Sequence, residues 1–133
     1  MFKRNYIIIT NNPLVALAWP DEVASTEGGP GDVFRAVRDM IHRGHRLLTH
    51  PLAGSVKPNE SPYRSVVVTR DALPTLHFES LRSIEAAQST LDKLTASSGL
   101  RYAHGTAPPE LHQDYRLIDA DLMRSAIDSL NQF

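Results

Sequence analysis

The sequence predicts an α/β fold, a small three-layer sandwich in which a mainly parallel sheet of about four strands carries helices on its faces. Three observations lead there. Two short β-branched runs, Asn5-Tyr6-Ile7-Ile8-Ile9-Thr10 and Ser65-Val66-Val67-Val68-Thr69, read as buried strands. Two longer segments carry apolar residues at helical spacing: Val33, Phe34, Val37, Met40 and Ile41 in one, Leu81, Ile84, Ala87, Leu91 and Leu94 in the other. Strands and helices alternate along the chain, the order that parallel crossovers require.

The first strand stops at Asn11-Asn12-Pro13, because Asn tolerates unusual φ and Pro cannot continue a ladder. Residues 20–32, rich in Pro, Gly and acidic side chains, read as a flexible acidic loop. Asp32 suits the N-cap of the first helix and Gly44 its C′ position, with His42 and Arg43 at the negative end of the dipole. Arg46-Leu47-Leu48-Thr49 follows as a second strand and completes a βαβ order. Residues 50–63, HPLAGSVKPNESPY, suit neither helix nor central strand, and a loop of that length is more often functional than not. The strand over 65–69 and a turn through 71–75 lead into the second helix, 78–94, which ends near Ser97-Ser98-Gly99. Residues 100–113, with Gly105 and Pro108-Pro109, form a further loop, and Tyr115-Arg116-Leu117-Ile118 a short strand. Asp119 then caps a last helix whose apolar positions are Leu122, Met123, Ala126, Ile127 and Leu130. One alternative stays open. If residues 50–63 hold no helix, the strands over 46–49 and 65–69 pair antiparallel as a wide hairpin.

At 133 residues the chain is expected to form one domain, 1–133, with a core that needs no disulfide or structural metal. The absence of cysteine excludes thiol nucleophiles, thiolate metal sites and CxxC redox chemistry. Lys+Arg 14 against Asp+Glu 15 leaves a net charge of -1, so no basic field draws the chain to nucleic acid or anionic lipid. The run Ile7-Ile8-Ile9 falls far short of a signal peptide or a membrane span, and a soluble, cytoplasmic protein is expected.

In an open α/β sheet, ligands collect beyond the carboxyl ends of the strands. Those ends here carry Thr10, Asn11 and Asn12 from the first strand, and Thr49, His50, Ser55, Lys57 and Asn59 from the second and its loop. They are the candidate ligand-binding residues, suited to a small anionic or zwitterionic metabolite that Lys57 pairs with and the asparagines orient. The competing reading is that Asn11 and Asn12 only shape the turn and that the prolines stiffen a surface loop. His50, which titrates near neutrality, is the candidate general acid or base if the protein is an enzyme.

The spacing His42-x2-His45-x4-His50 lacks a carboxylate or thiolate at ligand distance, so no metal and no cofactor is expected. Glu27-Gly28-Gly29-Pro30-Gly31-Asp32 lacks the GK[ST] ending of a phosphate loop, and no GxSxG elbow is present. Arg35, Arg38 and Arg43, with Asp39 four residues before Arg43, read as a solvated helix face.

Two stretches carry a resemblance: Ile8-Ile9-Thr10-Asn11-Asn12-Pro13-Leu14-Val15, and His45-Arg46-Leu47-Leu48-Thr49-His50-Pro51-Leu52-Ala53-Gly54-Ser55-Val56-Lys57-Pro58-Asn59-Glu60-Ser61-Pro62-Tyr63. The chain resembles the GrdX family, small proteins encoded beside the glycine, sarcosine and betaine reductase components of amino-acid-fermenting bacteria. The resemblance implies an accessory role in that metabolism; beside the small metabolite expected at the strand ends, the alternative partner is a glycine or betaine reductase component on which the proline-rich loop docks. It supplies no catalytic residue. A cysteine-free chain cannot itself be a reductase subunit that works through thiol or selenol chemistry, which fits a helper, sensor or assembly factor. Monomer and homodimer are both left open.

Overall fold

The computed structural model describes residues 4–54, 56–99 and 108–131. Its elements are β1 (Tyr6–Thr10), α1 (Pro13–Ala18), β2 (Val23–Ser25), α2 (Pro30–His42), β3 (Ser65–Thr69), α3 (Phe78–Ser98) and α4 (Pro109–Asn131). Among the described residues the strands form one three-stranded sheet in the order β2-β1-β3.

The pleat of β1 and β3 sorts their side chains onto two faces. Ile9, Val66 and Val68 pack with Val33, Phe34, Val37 and Ile41 of α2 and with Ile84, Ala87 and Leu91 of α3. Tyr6, Ile8 and Val67 pack on the other face with Val15 of α1 and Met123 and Ile127 of α4. Helices therefore cover both faces, as the sequence predicts. Ile8, Val66, Val67 and Val68 are fully buried at 0% exposure, and each contributes about 1.5–3 kcal/mol relative to an exposed side chain.

The sheet itself corrects the expectation of about four mainly parallel strands. β1 runs parallel to β2, with Ile8 opposite Val23. It runs antiparallel to β3, with Ile8 opposite Val67. The missing strand is residues 46–49, which touch β3 through a single antiparallel bridge between Leu47 and Val68. Two hydroxyls explain why the ladder goes no further: Thr49 Oγ1, not a backbone carbonyl, accepts from Val67 N–H at 2.9 Å, and at the other end Thr69 Oγ1 accepts from Arg46 N–H at 2.9 Å. The contact that exists has the antiparallel sense of the hairpin alternative.

Tyr115-Arg116-Leu117-Ile118 is not a strand but the middle of α4, and Asp119 is not its cap. The reason is a longer stripe than the one read from Leu122 onward. Tyr115, Asp119, Met123 and Ile127 recur every four residues, which places them on one inward face of a helix. Of the loop expected over 100–113, residues 100–107 lie outside the described residues, and α4 has already begun at Pro109.

Two elements lie where turns or loops are expected. Asn12 and Pro13 form an N-cap and first helical position, so α1 starts at once: Asn12 Oδ1 accepts from Leu14 N–H at 3.0 Å. Inside the acidic segment 20–32, Val23–Ser25 pairs as an edge strand. α2 begins three residues earlier than expected, with Gly29 at its N-cap, and Asp32 Oδ2 reaches back to accept from Gly29 N–H at 2.9 Å. Its charged face pairs Arg35 with Asp32 and Arg38 with Glu85 rather than Asp39 with Arg43.

Candidate functional site

Beneath the carboxyl end of β1 lies a chain of buried polar groups whose donors and acceptors match. Asn12 N–H donates to Thr10 Oγ1 at 2.9 Å. Thr10 and Ser65 share a hydroxyl hydrogen bond of 2.6 Å. Ser65 Oγ donates to Asp119 Oδ2 at 2.7 Å, so the proton between the hydroxyls comes from Thr10. Asn12 Nδ2 closes the circuit by donating to Asp119 Oδ2 at 3.0 Å and to the Arg116 carbonyl at 2.9 Å. Burial pushes the Asp119 carboxyl above its ordinary value, and the hydrogen bonds from Asn12 and Ser65 and the charge of Arg64 pull it back down. Burial likewise lowers Arg64, against the attraction of Asp119.

Two side chains give the long loop its shape. Asn11 Oδ1 accepts from Arg64 N–H at 2.9 Å while its Nδ2 donates to the carbonyls of Gly28 at 2.9 Å and Pro62 at 2.8 Å. Arg64, a residue only 5% exposed, donates from its guanidinium to the carbonyls of Ala53 and Val56, each at 3.3 Å. These bonds fix the course of the loop from within.

Beyond the ends of β1 and β2 the loops leave a cleft of ≈ 560 Å³, within the usual range for small-molecule sites. Asn11 and Glu27 line it with Tyr63, His112 and Arg116. Arg116 Nε donates to Tyr63 Oη at 2.9 Å, and Tyr63 Oη lies 2.7 Å from His112 Nδ1. The Arg116 guanidinium carbon stands 5.2 Å from the Tyr63 ring centre, and the Tyr63 and His112 rings meet edge-on at 5.7 Å. The cleft thus joins a cation, an imidazole and a phenol to one carboxylate, a set that can hold both ends of a zwitterion.

A second cleft of ≈ 540 Å³ opens between the first turn of α2 and α3, with Asn59 and Pro62 on its wall. Glu27 lines the first cleft, and Pro62 lines both.

The sequence-predicted residues are thus distributed over several environments. Thr10 and Asn12 sit in the buried network, Asn11 clamps the loop at the first cleft, and Asn59 lines the second. Thr49, His50 and Lys57 line neither cleft. His50 is exposed, and its Nδ1 accepts from Leu52 N–H at 3.0 Å. Ser55 lies outside the described residues. Sequence reasoning missed Tyr63, Arg64, His112, Arg116 and Asp119. The signal was present in the spacing of His112, Arg116 and Asp119, at i, i+4 and i+7, but a loop and a strand were expected there.

Fold and site define a small α/β sandwich whose loops, at one end of the sheet, are tied by buried amides around a ligand-sized polar cleft. The chain belongs to the GrdX family: residues 7–128 match the family model described as GrdX-like protein. That membership suggests an association with glycine reductase systems. No curated protein and no solved structure matches the chain. Among the described residues no helix is long and apolar enough to cross a membrane.

Proposed function

We propose that this protein is an accessory factor of glycine and betaine reductase metabolism that binds a small anionic or zwitterionic metabolite in the cleft beyond β1 and β2. The observation that carries the reading is the placing of Arg116, His112 and the Tyr63 hydroxyl in one cleft with Glu27. A carboxylate or phosphate pairs with Arg116, and an ammonium group, where the ligand has one, is drawn to Glu27. The family supplies the metabolic context.

A thermal-shift screen against glycine, sarcosine, betaine and acetyl phosphate tests it. A ligand at one hundred times its dissociation constant adds about 2.7 kcal/mol of stability. The reading expects at least one of these to raise the midpoint, and the rise to vanish in Arg116→Gln. A protein that none of them stabilises, or an unchanged shift in the variant, sinks it.

A second reading, docking of a reductase component, is favoured by one feature. Leu117, Ile118 and Leu122 of α4 are exposed by 49%, 42% and 36% beside the loop at Gly54. A pull-down with reductase components that is lost in Leu117→Ser, Ile118→Ser supports docking, and no capture by the intact protein removes it.

A further inference from the structure

We propose that the cleft between the first turn of α2 and α3 is a second binding site, for a small protonated amine with an apolar body. It is independent of the strand-end reading, and of its lining only Pro62 is shared with that cleft.

Among the described residues four buried side-chain nitrogen or oxygen atoms have no hydrogen-bond partner: Arg46 Nε, Asn59 Oδ1, Arg64 Nε and Gln88 Oε1. The two oxygens belong to residues that line this one cleft. Their amide nitrogens are already spent, Asn59 Nδ2 on the Gly99 carbonyl at 3.0 Å and Gln88 Nε2 on Asp92 Oδ1 at 3.0 Å. Those acceptors fix which way each amide faces, and the atoms left over are both acceptors. Asn59 is only 7% exposed, so bulk water does not serve its oxygen freely. Buried acceptors without donors are rare in folded proteins, and each carries its full desolvation cost. Both belong to side chains of one cleft, set just behind its surface, and what the pair lacks is a hydrogen-bond donor that a small turn of either amide toward the cleft would meet.

Charge selects a cationic donor. Asp32 already serves the positive end of α2 by accepting from Gly29 N–H at 2.9 Å and pairs with Arg35 at 2.5 Å. Among the described lining residues, Asp32 and Asp92 against Arg35 leave a net negative charge. An anion at this helix end would meet two carboxylates. Pro30, Pro62 and Leu91 supply the apolar walls, so the occupant has a hydrocarbon body behind its ammonium group.

The test is an amide-resolved NMR titration of the whole protein with benzylammonium and, in parallel, benzyltrimethylammonium, at matched ionic strength. The two share charge and ring, but the quaternary ion has no N–H to donate. Benzylammonium is expected to give saturable shifts at Gly31, Gln88 and Leu91, with an affinity about tenfold above the quaternary ion. Gln88→Met, which removes one acceptor from a helix position that tolerates Met, is expected to erase most of that advantage. No saturable shift, shifts centred elsewhere, or equal affinities for the two ions overturn the proposal and leave water as the partner of both oxygens. The wild-type comparison decides even if the variant fails to fold.

Discussion

Asn12 Nδ2 donates to Asp119 Oδ2 at 3.0 Å, a bond that joins residues 107 positions apart. The same side chain caps α1 through Leu14 N–H and holds the Arg116 carbonyl of α4. One amide therefore fixes the α1 entry and the register of α4 against the sheet. Asn12→Ala loses the cap, worth about 1 kcal/mol, and strands a buried carboxylate and carbonyl, worth about 1–3 kcal/mol more. Asn12→Asp keeps the cap but sets a second carboxylate against Asp119. Urea unfolding is expected to show both variants destabilised by about 2–4 kcal/mol. A loss within error of the cap alone in Asn12→Ala would mean the link to α4 contributes nothing.

Asp119 gives stability a pH dependence of definite sign. Burial raises its folded-state pKa above the ordinary 3.8. The group's contribution is therefore complete below the unfolded-state value and is lost as pH rises through the raised folded-state value. Asp119→Asn cannot ionise and lacks that dependence. The stability of the wild type relative to this variant is expected to fall as urea titrations move from about pH 4 to about pH 7. A difference that stays flat across the window contradicts the assignment.

These residues also show where a sequence stops being informative. The β-branched runs at Tyr6–Thr10 and Ser65–Thr69 and the stripe of α2 were legible because local pattern and tertiary burial agree there. Asp119 was misread because Asp is a good N-cap, and only the packing of α4 on β1 and β3 shows that its place is inside the stripe. Asn12-Pro13 signals a helix start as well as a strand stop, and the chain uses both. At the strand ends, sequence proximity brought Asn11 to the cleft, whereas His112 and Arg116 arrive from a distant helix. No spacing rule links Tyr63 to His112; tertiary packing makes that pair.

Arg64 is the loop's internal tie, and its removal is expected to act locally first. Arg64→Met deletes the bonds to Ala53 and Val56 and takes away the positive neighbour of Asp119. Global stability is expected to drop by about 1–3 kcal/mol, and limited proteolysis to cut within residues 50–63 faster than in the wild type. Wild-type cleavage rates in a folded Arg64→Met protein would show that the loop is held by something else.

Gly44 closes α2 with φ at +107°, where a side chain is strained. A Cβ at this position would lie 1.9 Å from the Leu73 carbonyl oxygen, a backbone atom that the turn cannot move cheaply. Gly44→Ala is expected to cost at least about 2 kcal/mol by urea unfolding. The neighbouring His45 provides the control, since its ring holds the Thr69 carbonyl at 2.7 Å and its substitution tests the same turn without the backbone clash. A Gly44→Ala protein as stable as wild type would mean that the helix ends differently in solution.

The cleft makes a prediction about a single proton. Arg116 can only donate, so Tyr63 Oη accepts from it, and the phenol's one hydrogen is left for His112 Nδ1. Neutral His112 must then carry its own proton on Nε2, where it is available to a ligand in the cleft. Nitrogen-15 NMR of the imidazole is expected to show the Nε2–H tautomer in the wild type. Tyr63→Phe removes the acceptor on Arg116 and the donor to Nδ1 together, and the tautomer preference is expected to relax toward a mixture. An Nδ1–H tautomer in the wild type would reverse the direction of the chain and turn the phenol's hydrogen away from the imidazole. Arg116 would still donate to Tyr63 Oη, whose oxygen can accept twice, but the hydrogen left for a bound carboxylate would then be the phenol's and not the imidazole's.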